Sequence, residues 1–285
     1  MSNILKGSPV ASHIKDHIRE EVDSLRKNRI EPTLGIIRVG HRKDDIAYEK
    51  SIVKSCESVG IISKTFMVDE CISTKELGSL VNSLNIDNNI HGILIFRPLP
   101  KHIDEEMIKN IISPLKDVDC MNPLNLEKVF EGISDGFAPC TPKAVVKILE
   151  YYNIPTEGAK VVIINRSMVV GRPLSMMMLG KNSTVTICHS KTKNLSDITR
   201  NSDIVVTALG RAKYFNDEYF SSQNTVVDVG INVDENGKLC GDVDYDDVCK
   251  VVKDITPVPG GVGSVTTSIL LSHVILACKN MKLEK

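Results

Sequence analysis

An arginine and a serine stand in a short turn after an apolar run, where they could bind a phosphate group. The run KVVII is followed directly by Asn165, Arg166 and Ser167. Gly171 then precedes the next apolar segment. A strand that turns into a helix presents unpaired backbone N–H groups and the positive end of the helix dipole. The turn therefore predicts a dinucleotide pyrophosphate site, with an ordinary strand-to-helix loop as the alternative, since the usual GxGxxG pattern is missing.

The next predicted strand ends in polar residues that favour one kind of dinucleotide. His189, Ser190 and Lys191 follow this strand, and no Asp or Glu accompanies them. An acidic residue at this place binds the ribose hydroxyls of NAD in Rossmann domains. Guanidinium and hydroxyl groups instead donate hydrogen bonds to phosphate oxygens, so Arg166 and Ser190 suit a 2′-phosphate. The two strand ends together predict NADP as the cofactor.

The elements that must hold these turns alternate along the whole chain. Runs rich in Val and Ile alternate with segments of helical period, which indicates an α/β fold with parallel sheets. In the first half, the pattern predicts helices over 9–28, 45–59, 74–85 and 104–112, and strands over 33–40, 62–68 and 91–97. In the second half, it predicts strands over 160–165, 184–189, 203–209 and 225–232, and a final helix over 265–279.

This order of elements predicts two α/β domains with a cleft between them. The first domain is expected over residues 1–142, with a C-terminal helix, 265–285, that packs back on it. The second domain, residues 143–264, is expected to be the Rossmann-type unit that binds NADP.

The composition of the chain restricts which binding partners and which cellular location are expected. The 285 residues carry a formal net charge of −1, which argues against a nucleic-acid partner. Apolar runs such as SILLSHVILA look too short to span a bilayer, and the start MSNILKGSPV lacks a signal-peptide core, so we expect a cytoplasmic protein with no membrane partner. The eight cysteines and seven histidines lack metal-ligand spacing, which predicts mostly buried free thiols and no metal site.

Longer motifs carry a family resemblance. The segments NRSMVVGRPLS, TVTICHSKT, VDVGIN and ITPVPGGVGSVTTSILL, in this order and spacing, resemble the bifunctional methylenetetrahydrofolate dehydrogenase/cyclohydrolase family, often called FolD. The resemblance covers essentially the whole chain, and PVPGGVG is its most specific part. It implies NADP-dependent oxidation of 5,10-methylenetetrahydrofolate to the methenyl form, with tetrahydrofolate derivatives bound by the first domain. It also implies a homodimer paired through the cofactor domain.

The resemblance assigns residues position by position. Tyr48 matches the tyrosine that stacks on the folate, and Asp119 matches the aspartate that hydrogen-bonds the pterin ring, so these two are the predicted catalytic and substrate-binding residues. The loop residues that match a segment near both the folate and the nicotinamide are Pro259, Gly260 and Gly261. The positions that match the cofactor site are Asn165, Arg166, Ser167, Ser190 and Ile231.

Two positions depart from the family's catalytic pattern. The family carries Tyr-x-x-x-Lys on one helix face, and here Ile52 stands at the lysine position. Phe96 replaces the glutamine that positions this lysine, and Arg97 follows it. Lys50 and Lys54 are near in sequence, but helical geometry turns both away from the direction of Ile52. Cyclohydrolysis needs a positioned proton-transfer group, so we predict a dehydrogenase whose cyclohydrolase activity is weak or lost.

Other readings of the sequence remain open. A fully bifunctional enzyme would result if Arg97 or Lys50 reached the cleft. A non-catalytic protein that binds folate and NADP would explain the altered positions differently. A dehydrogenase of another small substrate, such as a shikimate or amino-acid dehydrogenase, would share the two-domain shape but would not explain Asp119 and the PGGVG loop together.

Overall fold

The structure, a computed structural model, describes residues 2–133 and 136–283. The described residues divide into two compact units. We call residues 13–128, 136–138 and 267–283 the amino-terminal unit, and residues 2–12, 129–133 and 139–266 the carboxy-terminal unit.

Helices and strands alternate in both units, which confirms the predicted α/β class. The helices are α1 (Gly7–Lys27), α2 (Lys43–Val59), α3 (Thr74–Ile86), α4 (Glu105–Ile111), α5 (Pro123–Glu131), α6 (Cys140–Tyr151), α7 (Gly171–Leu179), α8 (Leu195–Arg200), α9 (Tyr245–Val248) and α10 (Val262–Leu283). The strands are β1 (Asn3–Ile4), β2 (Thr33–Val39), β3 (Ile62–Val68), β4 (Gly92–Ile95), β5 (Lys160–Ile164), β6 (Thr184–Cys188), β7 (Ile204–Thr207), β8 (Thr225–Asp228), β9 (Asn232–Val233), β10 (Leu239–Cys240) and β11 (Asp254–Ile255).

The amino-terminal unit is built on a three-stranded parallel sheet in the order β3-β2-β4. Every residue of the central strand β2 is buried, as its mostly apolar sequence predicts, and the buried residues include Arg38. Helix α3 begins at a capping box in which the Ser73 side chain accepts from the Glu76 N–H and Glu76 bonds back to the Ser73 N–H. Leu77 and Val81 of α3 then pack into the core of this unit.

The carboxy-terminal unit is built on a six-stranded parallel sheet in the order β1-β11-β8-β7-β5-β6. After β5, the chain adds β6 on one side of β5 and then β7 on the other. In open α/β sheets, such a reversal marks the place where ligands bind, outside the carboxyl ends of the strands. Ile164 at the end of β5 pairs with Cys188 of β6 and with Thr207 of β7, so the turns after these strands begin at the same level.

The two units differ from the predicted domains at the start of the chain. Strand β1 pairs in parallel with β11, so residues 2–12 belong to the carboxy-terminal unit and not to a first domain over 1–142. A two-residue strand has no period that a sequence pattern could reveal. Residues 267–283 of α10 belong to the amino-terminal unit, where the His273 ring contacts the Val118 carbonyl at 2.8 Å and Lys279 pairs with Glu21.

Among the described residues, one helical segment, Val262–Met281, is long and apolar enough to cross a membrane by length and composition. The expectation that the apolar runs are too short is therefore wrong for this helix by length and composition. The reason is that α10 continues well beyond the SILLSHVILA run on both sides. In the most apolar window of the helix, 61% of the residues are buried inside the protein, as in the core helix of a globular fold.

Candidate active site

Tyr48 lies on α2 and stacks against an aromatic residue that follows β4. Its ring centroid is 5.3 Å from that of Phe96, with 33° between the planes. The Tyr48 residue is 43% exposed, whereas Phe96 and Ile52 are buried. Lys50 and Lys54 are exposed on other parts of the helix. The position that carries lysine in the family pattern is thus a fully buried aliphatic side chain.

Asp119 forms an ion pair with Arg97. The distance between Arg97 Nη2 and Asp119 Oδ2 is 3.2 Å, and the two side chains are 24% and 32% exposed. Arg97 directly follows Phe96, and its peptide bond to Pro98 is cis. The sequence suggests for Arg97 only that it could reach the cleft in place of the missing lysine. The structure places it on the carboxylate that is predicted to bind the pterin.

The loop that carries Asp119 is organised by a buried neighbour, Asp117. The Asp117 carboxylate accepts hydrogen bonds from the backbone N–H groups of Met121 and Asn122, both at 2.8 Å, and from the Asn125 side chain at 2.9 Å. Burial outweighs these bonds and raises the pKa of the Asp117 carboxyl to about 6. Because both Asp117 oxygens already accept hydrogen bonds, the more accessible carboxylate at this place is Asp119, whose side chain is 32% exposed.

In the carboxy-terminal unit, the side chain of Asn165 shapes the turn after β5. Its Oδ1 accepts from the Ser167 N–H and hydroxyl, both at 2.8 Å, and from the Gly171 N–H at 3.0 Å. Its Nδ2 donates to the Ala208 carbonyl at 2.6 Å, in the turn after β7. An asparagine side chain can replace backbone contacts in a turn in this way. The Asn165 side chain therefore fixes the shape of this turn and ties it to the turn after β7.

Gly171 is the position in this turn that excludes a side chain. A Cβ there would lie 2.0 Å from the Asn165 carbonyl oxygen. We expect Gly171→Ala to lower the free energy of unfolding by about 1–3 kcal/mol, since the backbone must shift to relieve the overlap. Urea denaturation would measure the change.

Gly180 provides the matched control for this substitution. It ends α7 with an ordinary φ of −62°. A Cβ there would meet its nearest atom, the Met176 carbonyl oxygen, at 3.5 Å. Gly180→Ala should therefore leave the stability nearly unchanged. Equal losses in the two variants would show that the close approach at Gly171 does not matter.

Arg166 and Ser190 lie after adjacent parallel strands, and both are exposed. The pairing of Ile164 with Cys188 brings the turns after β5 and β6 to the same edge of the sheet. The turn after β6 is closed by a hydrogen bond of 2.8 Å from the His189 N–H to the Thr192 hydroxyl. Residues 189–192 contain no carboxylate. At the carboxyl ends of these strands, Arg166 and Ser190 can therefore offer hydrogen-bond donors to an anionic group.

A buried carboxylate links the turns that follow β7 and β8. Asp242 accepts from the backbone N–H groups of Leu209 and Arg211 in the turn after β7. It also accepts from the Asn232 side chain, at 3.0 Å, in the segment after β8. Ile231, in that segment, is 66% exposed. Through Asn232, Asp242 thus anchors the segment that contains Ile231, the residue predicted to lie beside the nicotinamide.

The PGGVG loop packs closely on the start of α1. The Gly7 N–H donates to the Gly260 carbonyl at 2.7 Å, and Gly260 has a φ of +101° that side chains rarely adopt. A Cβ on Gly261 would lie 2.4 Å from the Pro257 carbonyl oxygen. The peptide bond before Pro259 is cis. Glycine is required at both positions to hold this loop shape.

Comparison with known proteins decides the family. Residues 5–119 match the model of the tetrahydrofolate dehydrogenase/cyclohydrolase catalytic domain, and residues 139–282 match the NAD(P)-binding domain of the same family. The chain belongs to the tetrahydrofolate dehydrogenase/cyclohydrolase family. One relative, Bifunctional protein FolD 1 of Desulfitobacterium hafniense (strain Y51), is 54% identical over 280 residues, which are 98% of this chain and 100% of that protein.

Solved structures of the tetrahydrofolate dehydrogenase/cyclohydrolase family share this fold. The bifunctional enzyme FolD from Campylobacter jejuni is 41% identical with a TM-score of 0.96, over 99% of this chain and 100% of that one. The Trypanosoma brucei enzyme, complexed with NADP cofactor and inhibitor, is 32% identical with a TM-score of 0.91, over 99% of this chain and 98% of that one. The resemblance predicted from the motifs is confirmed.

Sequence reasoning within this family pattern missed the charged residues that support the site. Arg38 lies in the apolar strand β2, is 3% exposed and pairs with Glu49, the residue after Tyr48, at 2.7 Å. A charge inside an otherwise apolar run was the signal that could have revealed it. Asp228 also ends an apolar strand, and its burial raises the pKa of its carboxyl to about 6. Glu49 lies 11 positions from Arg38 on another element, and Thr207 and Val243, which bond Asp228, lie 21 and 15 positions from it, so no spacing rule predicts these contacts.

Proposed function

We propose that this chain oxidises 5,10-methylenetetrahydrofolate to 5,10-methenyltetrahydrofolate, with NADP as the hydride acceptor. The observation that carries the proposal is that both halves of the chain match the family's two domains and keep solvent-accessible residues at the expected ligand positions. Tyr48 and Asp119 supply these in the amino-terminal unit. Arg166 and Ser190 supply them in the carboxy-terminal unit.

The residues of the amino-terminal unit would bind and orient the folate. The half-exposed Tyr48 ring offers a face for the pterin, and the Asp119 carboxylate can accept paired hydrogen bonds from the pterin amino and ring N–H groups. Hydride transfer needs alignment of the reacting rings, and the folate's own nitrogens stabilise the developing cation. No protein base is therefore required for the dehydrogenase step.

The residues of the carboxy-terminal unit fit NADP. Bound NADP would supply the hydride acceptor. The backbone turn held by Asn165 and Ser167 would receive the pyrophosphate, while Arg166 and Ser190 would donate to the 2′-phosphate. The exposed side chain of Ile231 would line the part of the site that holds the nicotinamide ring. The loop of Pro259, Gly260 and Gly261 would approach the ligands with its backbone.

The cyclohydrolase step is proposed to be weak or lost, because Ile52 and Phe96 carry no proton-transfer group. A fully bifunctional enzyme is the second candidate, and two observations favour it. Relatives at 54% identity are named bifunctional proteins. Arg97 also lies beside Asp119, so a cationic side chain is present near the predicted folate position.

We expect Asp119→Asn to weaken folate use while the protein stays folded. The amide replaces one acceptor oxygen with a donor and should cost about 1–3 kcal/mol in binding, which is about 5- to 150-fold in the KM for methylenetetrahydrofolate. The rate of NADPH formation by the purified protein measures it. Asp23→Asn, which removes an exposed carboxylate on α1, is the control and should change nothing. An unchanged KM in Asp119→Asn would remove Asp119 from the site.

The proposed assembly is a cytoplasmic homodimer formed through the carboxy-terminal unit, with neither nucleic acid nor membrane as a partner. Strand β6 is an edge strand of the six-stranded sheet, and Ile187 on it is 37% exposed. Leu179 at the end of α7 is 57% exposed. Apolar edge strands are commonly covered in native proteins. A monomer at micromolar concentration in sedimentation equilibrium would contradict this assembly.

A further inference from the structure

The dipeptide Phe96-Arg97 contacts both residues that are predicted to bind folate. Phe96 stacks against Tyr48, with the ring centroids 5.3 Å apart. Arg97 pairs with the Asp119 carboxylate at 3.2 Å. Both contacts come from the short segment between β4 and the cis peptide bond before Pro98. One short stretch of backbone therefore carries the contacts to both the aromatic and the acidic side chain of the candidate site.

We propose that Arg97 is a positioning residue for the substrate, which acts by holding the Asp119 carboxylate in the orientation that receives the pterin. This role rests on the proposed function. A carboxylate has about four lone-pair positions on its two oxygens. The Arg97 contact joins Nη2 to Oδ2 alone, so Oδ1 and a further position on Oδ2 stay available to a ligand. Arg97 can thus remain bound to Asp119 while the pterin is bound.

The solvent exposure of the Arg97–Asp119 ion pair determines whether its loss should affect folding stability or folate binding. Both side chains are about a quarter to a third exposed, and ion pairs in contact with water contribute little to folding stability. A ligand that covers the pair removes that water and strengthens the attraction between the two charges. Loss of Arg97 should therefore weaken folate binding and leave the thermal midpoint of unfolding nearly unchanged.

A double-mutant cycle tests whether Arg97 acts through Asp119. Tetrahydrofolate is titrated calorimetrically into the full-length wild-type protein, Arg97→Leu, Asp119→Asn and the double variant. We expect Arg97→Leu to weaken binding about tenfold, in the range that contacting residues show in such cycles. The double variant should bind no more weakly than Asp119→Asn alone. Arg97→Lys, which keeps the charge but loses the planar fork, should fall between wild type and Arg97→Leu.

The control removes a similar ion pair elsewhere in the same unit. Arg19 pairs with Asp16 on α1, where both side chains are exposed, so Arg19→Leu should leave tetrahydrofolate binding unchanged. Equal or tighter binding by Arg97→Leu would overturn the proposal, and so would losses that multiply in the double variant. If the wild-type protein binds no tetrahydrofolate, the proposed function itself fails. Binding by the wild type with no effect of Arg97→Leu overturns only the role of Arg97.

Discussion

Hydrolysis of 5,10-methenyltetrahydrofolate by the purified protein should be slower by about two to four powers of ten than in a family member with the lysine and glutamine, the usual contribution of one general acid–base group. Water addition and ring opening require a group that removes and delivers a proton. Ile52 is fully buried and aliphatic, and the Phe96 ring cannot hydrogen-bond a replacement. Lys50 and Lys54 are exposed elsewhere on α2. The loss of absorbance of the methenyl compound, corrected for the buffer rate, measures the activity.

The matched experiment restores the missing pair. The double variant Ile52→Lys with Phe96→Gln should raise the hydrolysis rate. Ser51→Lys with Phe96→Gln, which adds the same charge at an exposed neighbouring position, should not. Thermal unfolding of each variant shows whether the buried lysine is tolerated. Wild-type hydrolysis as fast as the dehydrogenase turnover would contradict the account and favour the fully bifunctional enzyme.

Replacement of Arg166 by alanine should raise the KM for NADP by about 10- to 150-fold and leave the KM for NAD nearly unchanged. A hydrogen bond to a charged group contributes about 1.5–3 kcal/mol, and NAD lacks the phosphate that would receive it. Initial rates at fixed methylenetetrahydrofolate, with each nucleotide varied in turn, give both constants. The ratio of the two constants separates recognition of the 2′-phosphate from a general loss of cofactor binding.

Arg200 offers the control for this substitution. Arg200 is an exposed arginine of the same unit, at the end of α8. It lies shortly before the start of β7, whereas Arg166 follows the end of β5, so the two arginines are at opposite ends of the parallel strands. Arg200→Ala should change neither constant. Equal increases for NADP and NAD in Arg166→Ala would show that Arg166 does not read the 2′-phosphate.

The sequence predicts the long elements of this fold well and the short ones poorly. Strand β3 occupies the predicted residues, and β2 differs by one residue at its end, because seven-residue apolar or alternating runs have a clear period. Strands β1 and β11 have two residues each, and they exist because β1 pairs with β11 and β11 pairs with β8. Their pairing moves the first residues of the chain into the carboxy-terminal unit. Such long-range pairing leaves no local pattern.

In the candidate site, too, the sequence predicts some features and not others. Helical geometry predicts that Lys50 and Lys54 point away from Ile52, and the structure has both lysines exposed and Ile52 buried. The contact of Arg97 with Asp119 joins residues 22 positions apart in different loops, so no spacing rule predicts it. The sequence also gives no sign that the Asn165 side chain organises the turn after β5. Its side chain reaches a carbonyl 43 positions away.

One reaction tests the central claim most directly: purified protein is mixed with 5,10-methylenetetrahydrofolate and NADP, and NADPH and methenyltetrahydrofolate are recorded together. The account predicts that both form in a one-to-one ratio once hydrolysis in buffer is subtracted, because hydride transfer proceeds and the second step does not follow efficiently. No reduced nucleotide with either NADP or NAD, from a folded protein that binds tetrahydrofolate, would contradict the account and identify a non-catalytic binding protein.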